Sequence, residues 1–309
     1  MRLLVTGGAG SLGSNLIEEV GLSCEAILVL DNFATGKRGA LLPLPHMEVV
    51  EGSVTDAELV RQIFARFRPS HVVHSAASYK DPHDWATDAM VNIVGTINVL
   101  RASEDFGVKR FINFQTALCY GRPQQLPVSV DHPVAPFTSY GVSKTAGEAF
   151  VTKSSLSWAS LRLANVTGPR LAIGPIPAFY KRLKSGEPCT VTTSVRDFLD
   201  MSDFLQLMNV VLSTDHTGVF NVATGEGHSI DEIFDVVARH LNKADIKPAA
   251  VVAPAPDDVE AMVLDPSKTH KTFKWRATTG FNETILRMLQ WYDEHGVTDV
   301  YSHLKTSRP

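Results

Sequence analysis

Gly7-Gly8-Ala9-Gly10-Ser11-Leu12-Gly13 stands directly after the short run at residues 3–6 and directly before an amphipathic segment, residues 12–20. Glycines at 7, 10 and 13 let the chain turn tightly, approach a pyrophosphate closely and pack a helix against a strand. A helix opening here presents unpaired N–H groups and a partial positive charge to phosphates. The spacing alone is a weak signal, because a mobile loop produces it too. Its surroundings strengthen it. Asp31 ends the next short run, where a carboxylate can accept hydrogen bonds from an adenosine ribose and would repel a 2′-phosphate. The reading is NAD, with Lys37 and Arg38 close enough to leave NADP open.

Working outward, runs at 26–30, 49–51, 71–75, 111–114 and 159–163 are short, mostly β-branched or aromatic, and bounded by turn residues. Between them lie helical patterns at 12–20, 57–67, 84–106 and 140–153. This alternation predicts an α/β protein with a Rossmann-type, doubly wound parallel sheet covered by helices on both faces. After Gly168 the texture changes. Gly174-Pro175-Ile176-Pro177 predicts irregular structure, 219–221 a buried strand, 231–241 a helix, 254–258 a loop, and 283–294 a last helix before a polar tail. The expected division is an NAD-binding lobe over 1–168, with a segment near 197–224 returning to its sheet. A smaller mixed α/β substrate lobe follows over 169–309.

Composition excludes several classes. A net charge of -4 without a basic run lacks the cationic field that nucleic-acid binding needs. Cys24, Cys119 and Cys189 form no C-x-x-C pair and predict neither a disulfide framework nor a zinc site. No His-x-x-x-His with a neighbouring carboxylate occurs, so no metal is expected, and His71 and His74 read as hydrogen-bonded structural histidines on a buried strand. Cys119 is expected to face the cleft as a small apolar packing group. No apolar run reaches spanning length, which predicts a cytoplasmic protein.

Ser139-Tyr140-Gly141-Val142-Ser143-Lys144 opens a helical pattern that puts Tyr140 and Lys144 one turn apart on one face. A free phenol, with a pKa of about 10, is a poor base at neutral pH. A neighbouring ammonium favours the phenolate, which can then take a proton from a hydroxyl. Most Tyr-x-x-x-Lys pairs are ordinary helix surface; this one follows a fifth strand in a chain with the glycine signature. Thr116 lies just beyond that strand, where ligands of open α/β sheets bind, and can hold the reacting oxygen near Tyr140.

Together these residues resemble the extended short-chain dehydrogenase/reductase family, and within it the nucleotide-sugar epimerase branch typified by UDP-galactose 4-epimerase. The resemblance spans nearly the whole chain: 6–13, Asp31-Asn32, 74–77, Asn92, 116–121, Tyr140 and Lys144, 162–168, 196–203 and 220–225. It implies Tyr140, Lys144 and Thr116 as catalytic residues. It implies a cofactor set of Gly7, Gly10, Ser11, Leu12, Gly13, Asp31, Asn32, Ser53, Val54, Ala76, Ala77, Asn92 and Leu163, with Tyr140 and Lys144 also touching NAD. Ser53 and Val54 would border the adenine, Ala76 and Ala77 line the cofactor, Asn92 order its loop and Leu163 meet the nicotinamide. Thr116, Asn165, Arg196 and Asp258 would bind a UDP-sugar, Arg196 at its diphosphate. Ser53 departs from the family's common aspartate. Pro254 or Ala255 replaces a second diphosphate arginine, for which Arg170 or Lys181 would compensate. Ala117 and Leu118 stand where the dehydratase branch carries an acidic pair, which favours C4 epimerisation through a 4-keto intermediate over dehydration. The resemblance further implies a homodimer built on the second faces of the helices at 84–106 and 140–153, and a role in polysaccharide biosynthesis. A nucleotide-linked ketosugar reductase and a non-catalytic NAD(H) sensor are the competing readings.

Overall fold

The structure, a computed structural model, describes residues 1–255, 258–297 and 300. The polar tail beyond it and part of the loop expected at 254–258 lie outside the described residues. Six strands, β1 (Arg2–Thr6), β2 (Ala26–Asp31), β3 (Met47–Glu51), β4 (His71–His74), β5 (Arg110–Thr116) and β6 (Trp158–Leu163), join a seventh, Gly218–Val222, in one sheet. All its pairings are parallel, and the order across it is Gly218–Val222, β6, β5, β4, β1, β2, β3. The order reverses between β1 and β4. Their register, Thr6 opposite His74, brings their carboxyl ends level and opens a crevice there.

Helices α1 (Ser11–Val20), α2 (Ala57–Phe67), α3 (Trp85–Ala89), α4 (Thr96–Asp105) and α5 (Ser139–Val151) precede α6 (Pro175–Lys184), α7 (Met201–Ser213), α8 (Ile230–His240), α9 (Ser267–Phe273) and α10 (Phe281–His295). Strand residues alternate between faces, so each face acquires its own core. Leu16 and Ile17 of α1 and Phe204, Leu207 and Met208 of α7 pack with Val5, Ile112, Phe114 and Leu161. On the other face Ile63 and Phe64 of α2, Val99 of α4 and Val151 of α5 pack with Leu4, Leu28, Val72 and Phe111. A third cluster joins α6, α8 and α10 through Phe179, Tyr180, Phe234, Met288 and Tyr292. Short strands surround it: Val195–Arg196 pairs with His228–Ser229 and Ala261–Met262, and Thr190–Thr192 with Ala250–Val252.

Two expectations need correction. The pattern at 84–106 is not one regular helix, because a π-helical turn, Met90–Gly95, separates α3 from α4. Such turns occur often at functional sites. Gly174-Pro175-Ile176-Pro177 is not irregular beyond its glycine: α6 begins at Pro175. Proline in a helix's first turn loses nothing, since those N–H groups have no intrahelical acceptor, and its fixed φ suits the helix. Among the described residues, no helix is long and apolar enough to cross a membrane.

Candidate active site

At the end of β1 the chain turns through Gly7 at φ +66, and a Cβ there would lie 2.6 Å from the Ala76 nitrogen. Any side chain would push the loop off the end of β4. Gly10 begins α1 with no side-chain cap, and the first turn carries no acidic residue. The leading amides of Ser11, Leu12 and Gly13 are therefore left to an external anion, which fits a dinucleotide pyrophosphate. Asp31 braces the loop: Ala9 N donates to its Oδ2 at 2.8 Å and Phe33 N to its Oδ1 at 2.7 Å. A carboxylate has about four lone-pair sites, so acceptor capacity remains for a ribose. Asn32, beside it, accepts from Ala34 N at 3.2 Å. Arg38 pairs with Glu51 and stacks 4.3 Å over the Phe33 ring. Val54 is buried, and Ser53 is hydrogen-bonded to Thr55 at 2.8 Å. Leu163 closes β6, buried, level with Thr116 of β5.

A buried chain of hydrogen bonds runs beneath this crevice. The Thr96 hydroxyl donates to the Asn92 carbonyl at 2.7 Å, so it accepts from His74 Nε2 at 2.9 Å. The Thr6 hydroxyl, 2.8 Å from His74 Nδ1, is then the donor there. Burial, with the Lys144 charge adding to it, pushes His74 down to about 3, which keeps the ring neutral. Asn92 donates to the Ser78 carbonyl at 2.9 Å and to Ser143 Oγ at 3.0 Å, and accepts from Ser78 N at 2.9 Å. The π-helical turn thus clamps the loop after Ala76 and Ala77 onto α5.

Thr116 accepts from the Leu118 amide at 3.1 Å, starting a 3-10 turn over Ala117–Tyr120. Its side chain also lies beside the Tyr140 phenol, close enough to lower its pKa. The two residues singled out in the sequence therefore meet beyond the end of β5. Burial holds the phenol well above its usual range, the nearby Tyr79 and Asp88 add to this, and the Thr116 side chain opposes it. Lys144, one turn along α5 and only 4% exposed, is brought down to about 8 by burial, with Glu148 pulling it up. The two shifts move the groups apart, the phenol up and the ammonium down, as the environments of acid–base sites do. Asp88 was absent from the sequence reading; its Oδ2 accepts from Ser139 Oγ at 2.7 Å, behind Tyr140.

On the far side of the crevice Asn165 donates to the Asp197 carbonyl at 3.0 Å. Arg196 donates to Asp258 and to the Val259 carbonyl, the latter at 2.9 Å. Arg170, one of the two bases expected to compensate, has its guanidinium bound to Asn15 at 3.0 Å and paired with Glu18 on α1. Lys181 lies exposed on α6. Cys119 does not face the cleft either; it is fully buried, and its thiol is pushed up to about 12 by burial.

A polar platform under α5 also escaped sequence reading. Asn113 and Gln115 of β5 lie opposite Ser160 and Arg162 of β6, all buried. A parallel strand covered on both faces ordinarily reads as continuous apolar sequence, and these interruptions are the signal that could have revealed it. Gln115 donates to the Lys144 carbonyl at 2.9 Å and accepts from the Thr116 amide at 2.7 Å. Arg162 pairs with Glu148 at 2.7 Å, and Ser160 donates to Glu148 at 2.6 Å.

This geometry has known counterparts. Residues 3–223 match the NAD dependent epimerase/dehydratase family. The Bordetella bronchiseptica enzyme WbmG, solved in complex with NAD and UDP, is 60% identical and superposes with a TM-score of 0.92 over 99% of this chain and 98% of that one. The Thermus thermophilus UDP-glucose 4-epimerase, solved with NAD, is 33% identical with a TM-score of 0.85, covering 96% of this chain and 100% of its own. The UDP-glucose 4-epimerase of Lactobacillus helveticus is 28% identical over 96% of this chain and 98% of that protein. With the glycine turn, the reversal of strand order and the Tyr140–Lys144 helix in one crevice, this chain belongs to the NAD dependent epimerase/dehydratase family.

Proposed function

We propose that this chain is an NAD-dependent UDP-sugar 4-epimerase acting on a UDP-hexose or its N-acetyl or uronic derivative. The observation that carries the reading is the Tyr140 phenol, half-buried, beside Thr116 and one helical turn from a buried Lys144. The NAD and UDP bound to WbmG and the 4-epimerase activity named for the other relatives support it. The chemistry NAD supplies when bound is reversible hydride acceptance at C4 of the sugar. Tyr140 takes the proton of the 4-hydroxyl and gives it back, Lys144 favours its phenolate, and Thr116 holds the reacting oxygen. Ala117 and Leu118 offer no group able to protonate a departing hydroxyl at the place where dehydration would need one, so the sugar returns with only its C4 configuration changed. Residues 1–168 with the return at 197–224 hold the cofactor, through the residues from Gly7 to Leu163 named above. Residues 169–309 close over the sugar nucleotide, with Arg196 turning to its diphosphate and Asn165 and Asp258 lining its path.

A homodimer completes the reading. Val142 and Phe150 lie two turns apart on α5, beside Met90 and Val94 of the π-helical turn and Trp85 of α3, all exposed. Exposed apolar side chains on neighbouring elements support an interface there. The NAD-loaded protein should convert UDP-glucose or one of its derivatives into the C4 epimer, followed by NMR, without net formation of NADH. Stoichiometric loss of added NADH against a 4-keto sugar nucleotide would instead make it a reductase.

A further inference from the structure

Tyr140, Lys144 and Glu148 follow one another at intervals of four along α5, a single stripe on which Tyr140 is half-buried and Lys144 and Glu148 are buried. A carboxylate one turn behind a catalytic ammonium would ordinarily draw it into a salt bridge, away from the phenol. Here Glu148 is saturated by other partners. Its Oε2 accepts from Arg162 Nη2 at 2.7 Å and Nε at 3.2 Å, and its Oε1 from Ser160 at 2.6 Å. Arg162 is itself fixed, 4.8 Å over the Tyr120 ring, whose hydroxyl donates to Asn221 at 2.6 Å. Both charged side chains are below one-tenth exposed, so their fields are weakly screened, unlike those of the exposed pair Arg61–Asp105.

We propose that Glu148, locked by Arg162, is a positioning residue that keeps Lys144 cationic and directed at Tyr140 by supplying a negative field without a salt bridge. This rests on the reading of Tyr140 and Lys144 given above. Glu148 on its own helix and His74 of β4 face Lys144, while Arg162 of β6 faces Glu148 together with Cys119 and Tyr120 of the 3-10 turn. Asp88 of α3 faces Tyr140. Glu148 raises the ammonium, and Arg162, bound to Glu148 and of opposite sign, offsets that field in this proposal, so removing each should move Lys144 in opposite directions. A purely structural pair would not do this.

The test is the pH dependence of kcat together with the titration of the Lys144 ε-carbon by NMR in protein carrying labelled lysine, assigned with Lys144→Met. Glu148→Gln should shift both the alkaline limb and the NMR titration to lower pH by about one unit, an about tenfold loss of kcat above the limb. Arg162→Met should shift both to higher pH, and the double variant should return near the parent. Arg162→Lys, which keeps the charge, should restore the parental profile and serves if Arg162→Met fails to fold. Limbs and titrations that stay in place while kcat falls equally at all pH values would overturn the proposal. A Tyr140→Phe variant separates the two levels: inactivity there with unmoved titrations rejects only the role of Glu148, and full activity rejects the underlying reading as well.

Discussion

Gln115 joins the two halves of the candidate catalytic pair, donating to the Lys144 carbonyl at 2.9 Å while accepting from the amide of Thr116 at 2.7 Å. One buried side chain thus fixes the end of β5 against α5, and so Thr116 against Tyr140. Replacing it removes both bonds: the Lys144 carbonyl keeps only its helical donor, and the Thr116 amide loses the Gln115 oxygen. Gln115→Met should destabilise the fold by about 1–3 kcal/mol in urea unfolding and lower kcat about tenfold or more with little change in KM. An unchanged kcat would show that this tie does not set the geometry.

His74 makes stability depend on pH. Its folded pKa, about 3, lies below the ordinary value of 6.5, so its contribution is complete above about pH 6.5. Below that the unfolded chain takes up a proton the folded one refuses, and the contribution is lost progressively down to about pH 3. Each pH unit in this window costs about 1.4 kcal/mol from this residue. His74→Gln, although less stable at pH 7, should show a shallower fall in unfolding free energy between pH 6.5 and 4.5. Parallel curves would mean that the ring is not held neutral.

Arg196 is the cation we assign to the substrate diphosphate, and in this structure it pairs with Asp258. A charge-assisted bond to a phosphate oxygen contributes about 1.5–3 kcal/mol. Arg196→Met should therefore raise the Kd for UDP by about ten- to a hundredfold in calorimetry and leave NAD affinity alone. Equal weakening of both would point to a loss of fold.

Val142 and Phe150 test the dimer. Val142→Glu/Phe150→Glu places two charges on the exposed face of α5 and should give monomers by analytical ultracentrifugation, where the parent should sediment as a dimer. Identical sedimentation of the two proteins would move the interface elsewhere.

What sequence could and could not reveal follows from the range of the interactions involved. The six early strands and the helix over Ala57–Phe67 carry period-2 or period-3.6 signals within ten residues, and Asp56 marks the helix start by capping Leu59 N. The glycine turn and the Tyr140–Lys144 spacing are equally local. The π-helical turn is not legible, because its hydrophobic pattern is that of an α-helix and its cause lies in packing. A Cβ on Gly147 would come within 2.4 Å of the Asn92 carbonyl, so α5 rests directly on that turn. Glu148 with Arg162, and Gln115 with Lys144, are pairs between different elements, and the register of β5 and β6 that aligns them is a tertiary fact. α6 was hidden by its prolines, and the engagement of Arg170 with Asn15 of α1 joins residues 155 positions apart in sequence.

The central claim is that the Tyr140 phenol moves the proton of the sugar 4-hydroxyl. The most direct measurement is turnover by Tyr140→Phe in the NAD-loaded protein, with UDP binding followed in parallel by calorimetry. The account predicts UDP affinity within about twofold of the parent and a fall in kcat of at least about a hundredfold, the contribution of a positioned acid–base group. Epimerisation at the parental rate with the phenol gone would contradict it.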